Sequence, residues 1–220
     1  MITAEQIANN KETFLSLVNS IERDGVDKEL LIKQLNGSDF FTAPASTKYH
    51  SAYDGGLCAH SLNVYVALVK LCDALYTVDT PEGQQSLCPY SMDTLKIVAL
   101  FHDFDKMNKY EKTFMNKKVY SETGTKFDEG GKFDWVSVPG YKTKEYKDIF
   151  VMGTHGENSV YMTNTFIPLT TEEYGAIINH HGIYDNPNLN LSVIFRRNPL
   201  ACLLHLADMA STYVVEEDDE

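Results

Sequence analysis

The 220-residue sequence predicts a mainly α-helical protein with one small β excursion, a hairpin or flap around residues 115–145. Three observations lead there. Through most of the chain apolar residues recur at i, i+3, i+4 and i+7, the period of an amphipathic helix. Glycine and proline gather in a few places and punctuate those segments. Between Lys112 and Tyr146 the period changes: Val119, Phe127, Phe133, Trp135, Val136 and Val138 lie among Gly124, Gly130-Gly131 and Pro139-Gly140, a strand-and-turn pattern.

The elements follow in order. Residues 4–20 carry Ile7, Phe14, Leu15 and Val18 at helical spacing, and Asp27 to Leu35 repeat the pattern until Gly37-Ser38 ends it. A loop through Pro44 and His50 reaches Gly55-Gly56, after which Leu57 to Tyr76 reads as a long helix with His60 near its start. Thr77 to Pro89, with Pro81 and Gly83, reads as a polar connection. Ser91 is an N-cap for a helix through Leu95, Val98, Ala99 and His102, which puts His102 on the core face. Helices resume around Glu157–Phe166, Thr171–His181 and Pro199–Val214. The expected organisation is one domain over 1–220: N-terminal helices to about residue 40, a core over 50–212 interrupted by an insertion at 113–147, and a solvated acidic end, Glu216 to Glu220.

Composition narrows the function. Hydrophobic content of 43% in a chain of this length suits a substantial core. The net charge of −12 argues against tight binding of long nucleic acid, which depends on Lys and Arg neutralising phosphates. Cys58, Cys72, Cys88 and Cys202 form no CxxC pair, which argues against a zinc–thiolate site. The first ten residues lack a basic segment followed by an apolar core, and no apolar run reaches the roughly 20 residues of a membrane span. A cytoplasmic protein with reduced thiols and no membrane association is therefore expected. No sequence feature specifies an oligomeric state.

The chemistry lies in the histidines. His60, the pair His102-Asp103, His155, the doublet His180-His181 and then Asp208 fall in or beside apolar helical stretches. A carboxylate there is expensive to bury unless paired or ligated. Imidazole and carboxylate without thiolate suit a divalent metal such as Mn, Fe, Co, Ni or Zn.

Those neighbourhoods resemble a known family. Tyr53-Asp54-Gly55-Gly56-Leu57-Cys58-Ala59-His60-Ser61-Leu62, Leu100-Phe101-His102-Asp103-Phe104-Asp105-Lys106, Gly153-Thr154-His155-Gly156-Glu157-Asn158-Ser159-Val160 and Leu204-His205-Leu206-Ala207-Asp208 are similar to segments of the HD superfamily of metal-dependent phosphohydrolases. The resemblance spans residues 50–212. It implies a helical bundle in which His60, His102, Asp103 and Asp208 surround a first divalent ion (Mn, Fe, Co, Ni, Zn or Mg). His155 and the doublet resemble members that hold a second, with Asp103 bridging. His180 stands two residues before Gly182, as the single histidine of such relatives does, while helical spacing leaves His180 and His181 open. Lys106, with Asp103, is implied in catalysis and in meeting phosphate. Asp105 replaces a small residue of many relatives, and either disturbs Lys106 or adds an acid.

Further substrate-binding candidates are Tyr110 and Glu157, which match family patterns, His50 near the glycine turn, and Arg196-Arg197 as a bidentate phosphate clamp. Phe127, Phe133, Trp135 and Tyr141 either stack on a base or form the insertion's own small core. His205 is expected to pack or hydrogen-bond. The resemblance implies a phosphohydrolase acting on a nucleotide or similar small phosphate ester. Two alternatives stand beside it: a phosphodiesterase (a 3′–5′ exonuclease or cyclic-nucleotide hydrolase), and a nucleotide-sensing protein without turnover.

Overall fold

A computed structural model describes residues 2–185 and 187–216. Helices occupy about half of the chain and strands 16%, in two small sheets, so the architecture is mixed α and β. The mainly α expectation is corrected, and the β content explains why. The insertion is a three-stranded antiparallel sheet in the order β3 (Tyr110–Tyr120), β5 (Gly131–Thr143), β4 (Lys126–Asp128). In it, β3 and β5 pair continuously from Tyr110↔Thr143 to Tyr120↔Phe133. The polar connection after residue 76 is also ordered: β1 (Thr77–Thr80) pairs antiparallel with β2 (Gly83–Ser86). Short polar strands such as Gly83–Ser86, exposed throughout, have no hydrophobic alternation to reveal them.

The helices are α1 (Ala4–Asn19), α2 (Lys28–Gly37), α3 (Gly56–Tyr76), α4 (Met92–Phe101), α5 (His155–Asn164), α6 (Thr171–Ile178), α7 (Leu191–Arg197) and α8 (Pro199–Ala210). Their ends follow local chemistry. Ser91 caps α4 by accepting from the Thr94 amide, and Thr3, Thr154 and Thr170 form capping boxes with Gln6, Glu157 and Glu173. The sequence pattern predicts no helix over α7; Asn190 caps its start by accepting from the Val193 amide.

Two apolar clusters flank α3 and α4. One is aromatic: Phe14 meets Phe40 at 4.9 Å and Phe101 at 5.8 Å between ring centroids, and Phe101 meets Phe104 at 5.3 Å. The other joins Val64, Leu68, Val98, Ile177, Leu200 and Leu204. By length and composition α3 could cross a membrane, contrary to the expectation that no segment would qualify. Its apolar face packs inside the protein against α4 and α8, with Val64 and Leu68 fully buried.

The start of α3 depends on two glycines. Gly55 has φ 83°, a conformation that only glycine adopts without strain. A Cβ on Gly56 would lie 2.0 Å from the Ser51 carbonyl oxygen. Ser51 itself has φ 47°, an uncommon state for a residue with a side chain.

A part-buried ion pair ties α6 to the segment that follows α1. Arg23 donates to both Glu173 carboxylate oxygens, at 2.5 and 2.6 Å. Burial would raise the Glu173 pKa, but Arg23 outweighs it and holds the carboxylate below its ordinary value. A depressed carboxylate contributes stability above its unfolded value of about 4.3 and loses it as pH falls through the folded value. Glu173→Gln should therefore destabilise the fold by roughly 2 kcal/mol at pH 7, less than a fully enclosed pair because Arg23 retains 18% of its side-chain exposure. Urea melts at pH 7 and pH 3.5 check this, and the difference between variant and parent should shrink at the lower pH.

Candidate metal centre

The site is built where α3, α4, α5 and α8 converge. His60 lies one turn into α3, His102 caps the C-terminal end of α4, Asp103 follows it, and Asp208 lies on α8. His155 opens α5, and His180 lies just beyond α6. His60, His102, Asp103 and His180 are at most 1% exposed, and Asp208 is 6% exposed.

The ring orientations share one rule. The histidines of the cluster have Nδ1 turned to an oxygen acceptor, which fixes the Nδ1 proton and leaves Nε2 facing the cluster. His102 Nδ1–H donates to the Ala99 carbonyl (2.8 Å) and His180 Nδ1–H to the Ile177 carbonyl (2.6 Å). Carboxylates serve the others: Asp105 for His155 (2.5 Å), Asp185 for His181 (2.9 Å) and Glu216 for His60 (3.0 Å).

The Nε2 atoms then gather around Asp103. His60 Nε2 lies 3.2 Å from His102 Nε2, 3.2 Å from Asp208 Oδ1 and 3.6 Å from Asp103 Oδ2, while His102 Nε2 lies 3.5 Å from the same Oδ2. Ligands bonded to one ion at about 2.1 Å stand about 3.0–3.4 Å apart at octahedral or tetrahedral angles. The other oxygen, Asp103 Oδ1, lies 2.6 Å from His155 Nε2 and 3.5 Å from His180 Nε2. His60, His102 and Asp208 form one group able to hold an ion; Asp103, His155, His180 and His181 form another. The fit has an independent mark: among the described residues His180 Nε2 is buried with no hydrogen-bond partner, an orphaned nitrogen that suits a cation.

The charges respond accordingly. Burial would lower both His60 and His155; hydrogen bonds to Asp208 and Glu216 raise His60 to about 10, and Asp105 and Asp103 raise His155 to about 9. For His102, burial outweighs the nearby Asp103 and lowers it to about 3. Lys106, 6% exposed, donates to Asp103 Oδ2 at 2.5 Å. That contact outweighs burial and holds the ammonium above the ordinary lysine value, while Lys106 holds Asp103 far below the carboxylate range.

Beside the cluster lies a cavity of about 780 Å3 whose wall includes Tyr49, His50, His181, Tyr184, Asp208 and Tyr213. Its lining contains no Lys or Arg among the described residues. His50 meets the His60 ring at 4.7 Å. Burial and the neighbouring His60 lower its pKa to about 4.

The remaining candidates are dispersed. Tyr110, at the first residue of β3, interacts electrostatically with Lys106 and Asp103. Glu157 is exposed and accepts the Thr154 amide at 2.7 Å as the capping-box partner. Arg196 and Arg197 are exposed at the end of α7, away from the cavity wall. Phe133 packs with Tyr120 and Trp135 under Lys118, Tyr141 donates to Asp54, and Phe127 is 78% exposed. His205 Nδ1–H donates to the His180 carbonyl at 2.5 Å.

The direction in which three carboxylates point is not legible in the sequence. Asp105 leaves Lys106 undisturbed and instead holds His155 and Lys109 (2.7 Å). Asp185 was not singled out, although its position four residues after His181 was available as a signal. Glu216 corrects the solvated-end expectation, because it folds onto His60; residues 217–220 lie outside the described part. A run of acids carries no local mark that one member is internal.

No protein-family model, curated protein or solved structure matches the chain.

Because His60 and His155 are cations at neutral pH without an ion, metal uptake must displace their protons. Titration calorimetry at pH 7 in buffers of different ionisation enthalpy should report release of about two protons at full loading. Metal affinity should rise with pH between 6 and 9, since proton competition weakens as each histidine approaches its own pKa.

Proposed function

We propose that this chain is a metal-dependent phosphohydrolase of the HD type, acting on a nucleotide or similar small phosphate ester. The observation that carries the reading is the division of Asp103: one oxygen faces the Nε2 atoms of His60 and His102, the other faces those of His155 and His180. A bridging carboxylate between two imidazole sets suits a pair of divalent ions, and the ligand order along the chain resembles that of HD proteins. Hydrolysis of phosphate esters has a very high uncatalysed barrier and needs charge stabilisation. Bound divalent ions would supply acidified water and screening of the phosphoryl charge.

The chain's own groups supply the rest. His60, His102, Asp103 and Asp208 would hold one ion, and Asp103, His155, His180 and His181 the other. Lys106 keeps its proton beside Asp103 and adds a fixed positive charge facing the developing phosphoryl charge. The cavity gives the non-phosphate part of the substrate a wall of Tyr49, Tyr184 and Tyr213, each more than half exposed, against which a planar base can stack. With no Lys or Arg among the described residues of that wall, the phosphate is left to the metal cluster and Lys106, which favours a substrate with one reacting phosphoryl group near a base over an extended polyphosphate.

The test joins metal analysis to a panel of nucleoside mono-, di- and triphosphates, cyclic nucleotides and short oligonucleotides with Mn²⁺, Co²⁺ or Zn²⁺. Release of phosphate or nucleoside from a panel member is expected, with Asp103→Ala reduced to background. Full activity in Asp103→Ala would remove the mechanism, and silence across the panel with metal bound would favour a nucleotide-sensing role. Lys106→Ala should lower kcat by about 10²–10³-fold while leaving metal content intact, the scale of removing one charge-stabilising donor.

A further inference from the structure

Residues 211–216, after α8, fold back onto the protein. A π-helical turn, Ser211–Val215, carries it back over the start of α3, and Glu216 closes the turn with its amide donating to the Ser211 carbonyl at 2.9 Å. The Glu216 side chain lies between three donors from three places in the sequence. His60 Nδ1 is 3.0 Å from Oε1 and 3.2 Å from Oε2, Asn63 Nδ2 donates to Oε1 at 2.9 Å, and Ser51 Oγ donates to Oε2 at 2.7 Å. Both oxygens are thus occupied by hydrogen-bond donors.

We propose that Glu216 is a positioning residue of the metal centre: it fixes the tautomer and ring angle of His60, so that Nε2 is presented to an ion. The inference rests on the metal-binding reading above but not on any substrate. Three features carry it. His60 alone among the central histidines draws its orienting acceptor from beyond α8; His102 and His180 use backbone carbonyls of their own helices, and His155 uses the nearby Asp105. Among the described residues the acceptor at His60 Nδ1 is Glu216, and without it the ring would be free to present either nitrogen. Ser51, held at φ 47° where its carbonyl excludes any side chain on Gly56, places its hydroxyl on Glu216, so backbone strain sits where the contact needs it. Asn63, one turn along α3 from His60, adds a second anchor from the same helix. A carboxylate oriented in this way raises ligand basicity as well as fixing the ring, and loss of such a partner typically weakens metal binding about 10–100-fold.

The coupling runs both ways. If Glu216 strengthens metal binding, the ion must equally stabilise the closed π turn, since a linkage free energy is shared by both events. In the metal-loaded protein, amides of residues 211–216 should exchange with solvent more slowly than in the chelated protein.

The experiment uses the full chain. Mn²⁺ and Co²⁺ affinities are measured by chelator competition for the parent, Glu216→Ala, Glu216→Gln and Asn63→Ala, with the Co²⁺ visible spectrum recorded for each. The expected result is a roughly 10–100-fold loss for Glu216→Ala with a shifted Co²⁺ band, partial rescue in Glu216→Gln through its amide oxygen, and a smaller loss in Asn63→Ala. A purely structural tail contact would lower the melting temperature of the metal-free protein and leave affinity and spectrum alone; that outcome overturns the proposal. Should Glu216→Ala not fold, Glu216→Gln and Asn63→Ala decide by the same readouts. A parent that takes up no metal would remove the metal-centre reading and this inference with it, whereas equal affinities in parent and variants would remove the inference alone.

Discussion

The buried carboxylate of Asp103 is the constraint on which the rest of the site depends. It is 1% exposed and ionised, a state that costs several kcal/mol unless cations and hydrogen bonds surround it. The fold meets that cost from four directions. Lys106 approaches from the turn that follows α4, His60 from α3, His155 from the start of α5, and His180 from the residues after α6. The histidines among them are themselves oriented by polar groups, so the cluster extends outward through Asp105 behind His155 and Glu216 behind His60. The two apolar clusters on either side of α3 and α4 hold these helices at the distances that the carboxylate requires.

Much of this was legible in the sequence, and the legible parts share a cause. His60, His102, Asp103 and Asp208 stood out because a polar ligand inside an apolar helical stretch has few structural reasons to be there. Helical periodicity then placed the supporting elements, and Ser91 marked the start of α4 by its own capping chemistry. The convergence of His155 and His180 on Asp103 followed the resemblance more than any spacing, since those residues come from separate helices.

The illegible parts fail for physical reasons. The strand content was underestimated because β1 and β2 are short, polar and solvent-facing, and because the ladder from Tyr110 to Tyr120 exposes most of its residues. Sheets of this kind are held by backbone hydrogen bonds that leave no hydrophobic alternation behind. Glu216 was hidden within an acidic run, and its partners Ser51 and Asn63 lie more than 150 residues away. Glu157 illustrates the opposite case: a residue matching a family pattern serves the local demand of a helix N-terminus. Asp105 was visible as a departure from the pattern, but its direction, toward His155, required the fold.

The β3–β5 ladder has eleven consecutive pairs, rooted at Tyr110↔Thr143 and tied to the body where Lys112 and Tyr141 both reach Asp54. At about 3.4 Å per residue its far end stands roughly 35 Å along the strands from that root. The two ends of this sheet are therefore unequal in their tolerance of evolutionary change. Recoding the distal turn around Glu122–Thr125 alters mostly exposed chain, whereas a single-residue slip near the root would carry Lys112 or Tyr141 out of register with Asp54 at the beginning of α3. The sheet can diversify at its tip while its base stays bound to the architecture around Asp103.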